Sequence, residues 1–152
     1  MKKLIRNIAI TCVLALVFAI AACEPAAVKE QKSVTLTVVT AEYAEDFTVT
    51  GLIATLYDAM DILAQTNEDF SFEEVDTQWG KSIAKVCGYA PEGEYGFWGL
   101  YTDMIYDVGK GAKNATDGDY NAEYNGKPYY FCNNYASSQP AADGEHFLLF
   151  LN

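Results

Sequence analysis

The chain's one candidate for proton transfer is its single histidine, His146. Catalysis there would need a nucleophile within hydrogen-bond reach and a partner orienting the second ring nitrogen. No Gly-x-Ser-x-Gly elbow or other nucleophile motif is present. His146 sits in an apolar stretch beside an acidic turn, which predicts a structural, strand-edge histidine, and no catalytic residue is assigned. Carboxylate pairs such as Glu73–Glu74, or Glu92 with Glu94, could flank a sugar as glycosidases require. Twenty-one acidic residues produce such pairs by chance. Asp117, Asp119 and Asn121 begin with calcium-loop spacing. Ala122 then stands where that loop needs glycine, and Pro128 where it needs a bidentate glutamate. A looser site of Asp117, Asp119 and Glu123 ranks behind a solvated loop, so no metal is expected. Tyrosine gives the stronger signal, with nine of eleven placed after residue 80. Exposed tyrosines offer flat apolar area with a polar tip, suited to sugars, corrinoid rings or protein partners. Tyr101, Tyr129, Tyr130 and Tyr135 are therefore candidate ligand-binding residues, while Trp98 and Phe131 are assigned to the core.

The cysteines speak to location. An apolar run from Ile8 to Ala22 follows Lys2, Lys3 and Arg6 and ends in Ile20-Ala21-Ala22-Cys23. A basic stretch, a short apolar run and small residues before a cut are features of an export signal. The run is shorter than the roughly 20 residues a membrane-spanning helix needs. With cysteine directly after Ala22, the segment resembles a bacterial lipobox. That resemblance implies removal of residues 1–22 and a diacylglyceryl thioether on Cys23, which holds the chain on the outer side of a bacterial cell membrane. An ordinary secretory signal with an incidental Cys23 is the alternative. Cys87 and Cys132 remain in a compartment that can oxidise them. Bonded, they would close a loop of 45 residues, worth about 4 kcal/mol on the chain-entropy model; two buried free thiols are the other reading.

Without residues 1–22 the chain has 130 residues, enough for one domain with a core. Its seven lysines then face 21 acids, and its one arginine, Arg6, is gone. Such a chain is repelled by phosphate backbones and anionic headgroups. Nucleic acid is excluded as a partner, and the lipid alone must supply the membrane anchor.

These residues need elements to position them. Residues 23–33 form a polar tether with one proline. Val34, Leu36 and Val38 alternate with polar neighbours, as do Phe47 and Val49, which predicts a strand hairpin. Thr50-Gly51 offers an N-cap to an amphipathic helix through Leu56, Met60 and Leu63, ending near Thr66-Asn67. Further strands are expected at Phe70–Glu73, Ile83–Val86, Phe97–Tyr101 (extended by Met104, Tyr106 and Val108), Tyr129–Cys132 and His146–Leu151. Cys87-Gly88 and Ala142–Glu145 should be turns. Gly109–Asn125 is expected as a long exposed loop, and Asn133-Asn134 as a hairpin turn. The last strand must be paired inside the sheet, or its apolar residues would be exposed.

This order of features resembles the bacterial surface domains grouped with the C-terminal domain of transcobalamin and intrinsic factor. The resemblance runs from Val34 to Asn152. It rests on Gly99-Leu100-Tyr101, on Tyr129-Tyr130-Phe131-Cys132-Asn133-Asn134-Tyr135-Ala136, and on Asp143-Gly144 before the closing strand. Asn134 departs from the family's usual glycine, and the family's tryptophan in the aromatic strand has no counterpart. The resemblance implies an α+β, β-grasp-like domain with a mixed sheet and one helix packed across it. It also implies a domain that binds rather than catalyses, without a resident cofactor, and makes cobalamin a candidate ligand. Two functions follow as expectations. One is capture of a small molecule or nutrient at the cell surface; the other is docking of an envelope protein or glycan. A concave aromatic pocket near Tyr129–Tyr135 would favour capture, and a flat aromatic patch would favour docking.

Overall fold

The computed structural model describes residues 28–78, 80–93, 96–105 and 116–151, with backbone alone for 116–121. The expected export signal, Cys23 and residues 106–115 lie outside the described residues.

Strand β1 (Glu30–Val39) pairs antiparallel with β2 (Ala44–Ile53) in the predicted hairpin. Register sets Leu36 opposite Phe47 and Val34 opposite Val49, so the apolar alternation of both strands falls on one face. The Thr40 hydroxyl closes the connection by accepting from the amides of Glu42 and Tyr43. β1 begins four residues before Val34, inside the expected tether, because Glu30–Ser33 pair with Thr50–Ile53. The same pairing keeps Thr50-Gly51 extended and corrects the predicted N-cap. Helix α1 (Leu56–Thr66) is instead capped by Thr55. Its hydroxyl accepts from the Asp58 amide, and the Asp58 carboxylate accepts from the amides of Thr55 and Ala54, a reciprocal capping box. Leu56, Ala59, Met60 and Leu63 are buried in one stripe against the hairpin's apolar face.

β3 (Phe72–Thr77) and β4 (Gly80–Val86) form a separate two-stranded ribbon. β5 (Trp98–Thr102), β6 (Thr116–Tyr124), β7 (Lys127–Cys132) and β8 (His146–Leu151) complete a six-stranded sheet in the order β2-β1-β8-β5-β7-β6. β8 is interior, parallel to β1 and antiparallel to β5, which buries Phe147, Leu148 and Leu149 as the sequence required. The result is a sheet-dominated α+β fold, with the helix on one face of a mixed sheet.

Two expectations for the second half are corrected. Much of the anticipated loop is strand β6, antiparallel to β7. The turn between them is Asn125-Gly126, whose successive φ values of 51° and 73° suit a tight hairpin. Asn133-Asn134 has no left-handed residue and joins no hairpin. β6 lies at the sheet's edge, and its first half, Thr116–Asp119, is wholly polar, so only the short alternation of Tyr120, Ala122 and Tyr124 marks it as a strand.

Candidate functional site

A cavity of about 320 Å³ opens between the ribbon and the main sheet. Lys81, Ser82 and Ile83 of β4 form one wall, and Phe97, Trp98 and Leu100 the facing one. The segment from Phe131 to Ala136 closes the third side. That segment is held from behind by α1. The first helical amides, of Leu56 and Tyr57, donate to the carbonyls of Gln139 and Ala136 at 2.9 and 3.0 Å. Amides that a helix cannot satisfy internally are thus spent on positioning the cavity wall. The ribbon meets the same wall at Gly80, whose φ is 126° and where an added Cβ would lie 3.1 Å from the Ser137 hydroxyl. Both the backbone angle and the space favour glycine there.

The cavity's chemistry is mostly apolar and aromatic. Trp98 is only 7% exposed, and its indole Nε1–H is buried without a hydrogen-bond partner. An orphaned donor of this kind costs about 1–3 kcal/mol, and this one is closed to solvent. The Lys81 ammonium is paired with the Glu74 carboxylate and lies 5.3 Å from the centre of the Tyr57 ring. That pairing raises the lysine's pKa and lowers that of Glu74. Cys132, almost wholly buried, has its thiol pKa pushed up by desolvation and then by the nearby Glu145 carboxylate, so the thiol stays protonated at neutral pH.

The four candidate tyrosines are not brought together. Tyr135 lines the cavity. Tyr101 and Tyr129 belong to the opposite face of the sheet, in a second cluster with Val39 and Leu148. Tyr130, one residue out of phase with Tyr129, is half-buried. For Tyr129 the expectation of a binding face is corrected, since it is 1% exposed. Its ring stands edge-on to His146, centroids 5.4 Å apart, and its hydroxyl lies 3.1 Å from His146 Nδ1. His146 Nε2 lies 2.5 Å from the Thr37 hydroxyl, which itself donates to Asp46 at 2.6 Å. One tautomer satisfies all of these contacts: Nε2–H donates to Thr37, and Nδ1 accepts from Tyr129. His146 opens an interior strand rather than sitting on a sheet edge, and both ring nitrogens serve structural partners. Phe131, expected in the core, is half-buried; it packs against Tyr101 at 5.5 Å and also reaches the cavity.

Cys87 and Cys132 are both free thiols, so the candidate disulfide is not formed in this structure. Their surroundings differ. Cys87 follows β4 in a left-handed turn, φ 47°, beside the Tyr43 hydroxyl, whereas Cys132 ends β7 in the main core. Among the described residues no group of His, Cys, Asp and Glu is placed to hold a metal ion. The side chains of Asp117, Asp119 and Asn121 lie outside the described residues. Sequence patterns placed a strand at Ile83–Val86 but gave no sign that β4 forms a cavity wall. Lys81, Ser82 and Ile83 touch the cavity only because the ribbon folds back across β5, and no local signal announces that crossing.

No protein-family model and no curated protein matches this sequence. Solved structures do resemble its fold. One is a protein from Ruminococcus gnavus ATCC 29149 for which metal binding has been suggested. It superposes with a TM-score of 0.54 at 17% identity, over 80% of this chain and 97% of that one. Haptocorrin in complex with Cbi superposes with a TM-score of 0.54 at 17% identity, over 84% of this chain. The chain spans only 26% of haptocorrin's length. At these identities the likeness is one of fold, shared with a small-ligand complex and with a protein of nearly this chain's own extent.

Proposed function

We propose that this chain is a lipid-anchored, extracytoplasmic domain that captures a small molecule without catalysing a reaction on it. Cys23 carries the lipid, and the cavity beside Trp98 and Tyr135 carries the ligand. The single observation behind this reading is a largely apolar cavity, lined by Phe97, Trp98, Leu100 and Tyr135, between the ribbon and the main sheet. Its size is at the lower end of small-molecule sites. The hairpin–helix opening and the parallel pairing of the first and last strands support a β-grasp description of the scaffold.

The resemblance to the transcobalamin C-terminal domains, and the fold shared with haptocorrin, make a corrinoid the first ligand to try. A macrocycle exceeds this cavity and would place only an edge or side group inside it. The test is thermal unfolding of the full chain in detergent with corrinoids, glycans and calcium in turn. Specific binding raises the midpoint with the logarithm of ligand concentration over its Kd. A Ser82→Trp substitution, which fills the cavity from the ribbon side, should abolish the rise while leaving the unliganded midpoint within a few degrees. A rise with corrinoid that survives Ser82→Trp would place the ligand elsewhere and sink the assignment.

A further inference from the structure

Strand β2 is a sheet edge that lies apart from the cavity, with β1 and β8 between it and β5. Among the described residues it pairs with β1 alone, so the alternate amides and carbonyls that point away from β1 have no ladder partner. We propose that this edge takes an extended segment of a partner protein as an added antiparallel strand, with basic residues opposite Glu45 and Asp46. Sheet edges are usually blunted by bulges, by charge along the strand or by proline. The opposite edge, β6, breaks register between Asp117 and Asn121, and the ribbon strand β3 is paired with a break between Glu73 and Glu74. β3 also carries Glu73, Glu74 and Asp76. Past Asp46, β2 lacks all of these devices. Its ten residues keep unbroken register with β1, and Phe47–Ile53 contain no charge and no proline. Phe47, Val49 and Ile53 are buried on the helix side, while Asp46, Thr48, Thr50 and Leu52 are exposed on the other. Leu52, 59% exposed, offers an apolar contact at one end. Charge gathers at the other end, where Glu45 and Asp46 are exposed and Glu42 lies just before them. An antiparallel occupant therefore needs an apolar residue opposite Leu52, β-branched residues opposite Thr50 and Thr48, and lysine or arginine last. A second copy of this chain, with a net charge of −11, is repelled instead.

The probe is the end-blocked peptide Leu-Ser-Thr-Val-Thr-Val-Lys-Lys, with two controls: the same peptide ending in Glu-Glu, and the reversed sequence. Each is titrated at pH 7 and low salt into the full ¹⁵N-labelled chain in detergent, so no substitution in the protein is needed. The Lys-Lys peptide should slow hydrogen exchange at every second β2 amide, those pointing away from β1. Nuclear Overhauser contacts should pair its leucine with Leu52 and its first lysine with Asp46. Two opposite-charge pairs against two like-charge pairs should make it bind about tenfold tighter than the Glu-Glu peptide, and added salt should shrink that ratio. Equal affinity for the two peptides overturns the basic partner. Equal affinity for the reversed sequence overturns the antiparallel register. Protection at β6 or β3 in place of β2 overturns the choice of edge, as does no protection with any peptide. If the outer β2 amides are already protected in the free chain and lose that protection on dilution, a second copy fills the edge and the proposal fails.

Discussion

Single side chains here work mainly by settling hydrogen bonds. Tyr129, His146, Thr37 and Asp46 form one chain of donors and acceptors across four strands, so removing a link leaves a partly buried partner unsatisfied. Tyr129→Phe deletes the hydroxyl that His146 Nδ1 accepts from and should cost about 1 kcal/mol in urea unfolding. Tyr129→Ala also empties a fully buried ring site and should cost about 3–5 kcal/mol. A loss for Tyr129→Phe as large as for Tyr129→Ala would contradict this division. The thiols give a second residue-scale test. Burial raises both, but Cys87 is half-buried while Cys132 is enclosed. A maleimide probe should label Cys87 in the folded protein, faster as pH rises, and Cys132 only on unfolding. Reductant should leave the unfolding midpoint unchanged. A midpoint lowered by reductant would restore the disulfide reading.

At the scale of elements, local chemistry decides where each segment starts and turns. Burial works to raise the Asp58 pKa, but the Lys29 hydrogen bond and the amides of Ala54 and Thr55 outweigh it, leaving the carboxyl below its ordinary value. A depressed carboxyl stabilises the fold above the ordinary carboxylate range, and that stabilisation disappears as pH falls through the folded value. Asp58→Ala should therefore cost about 1 kcal/mol at pH 7, and the gap to the parent should close as the solution is acidified. A gap that persisted at pH 2 would mean the carboxylate is not what caps α1. In the β6–β7 turn, Gly126 has φ 73° with open space where a Cβ would go. Gly126→Val meets only the conformational penalty and should cost about 1–2 kcal/mol by thermal unfolding. The hairpin, α1 and the central strands were legible from alternation and helical spacing. β6 was not, because its first half is polar and is held by pairing with β7, and only Ala122 and Tyr124 reach an apolar cluster. The helix start was misplaced for a related reason: Thr50-Gly51 can cap a helix, yet its pairing with Lys32 and Ser33 keeps it extended.

For the whole molecule, the acidic composition and the proposed export signal belong to one account. An acidic domain gains nothing from anionic headgroups, so on the proposed reading attachment comes from two acyl chains on Cys23. Mass spectrometry of the native protein should find residues 1–22 absent and a diacylglyceryl thioether on Cys23. An intact leader or an unmodified sulfur there would remove the membrane setting. What the residues alone determined was the α+β class, the buried faces of the hairpin and helix, and the interior place of β8. All of these follow from nearest-neighbour periodicity and composition, which a linear chain displays directly. Only the tertiary structure decided which aromatics meet. Strand parity sent Tyr101 and Tyr129 to one face, and the ribbon's fold-back set Ile83 across from Trp98. Amides at the start of α1 fixed the far wall through Ala136 and Gln139. Those contacts join residues tens of positions apart, and their energies depend on crossing and burial that no local pattern encodes.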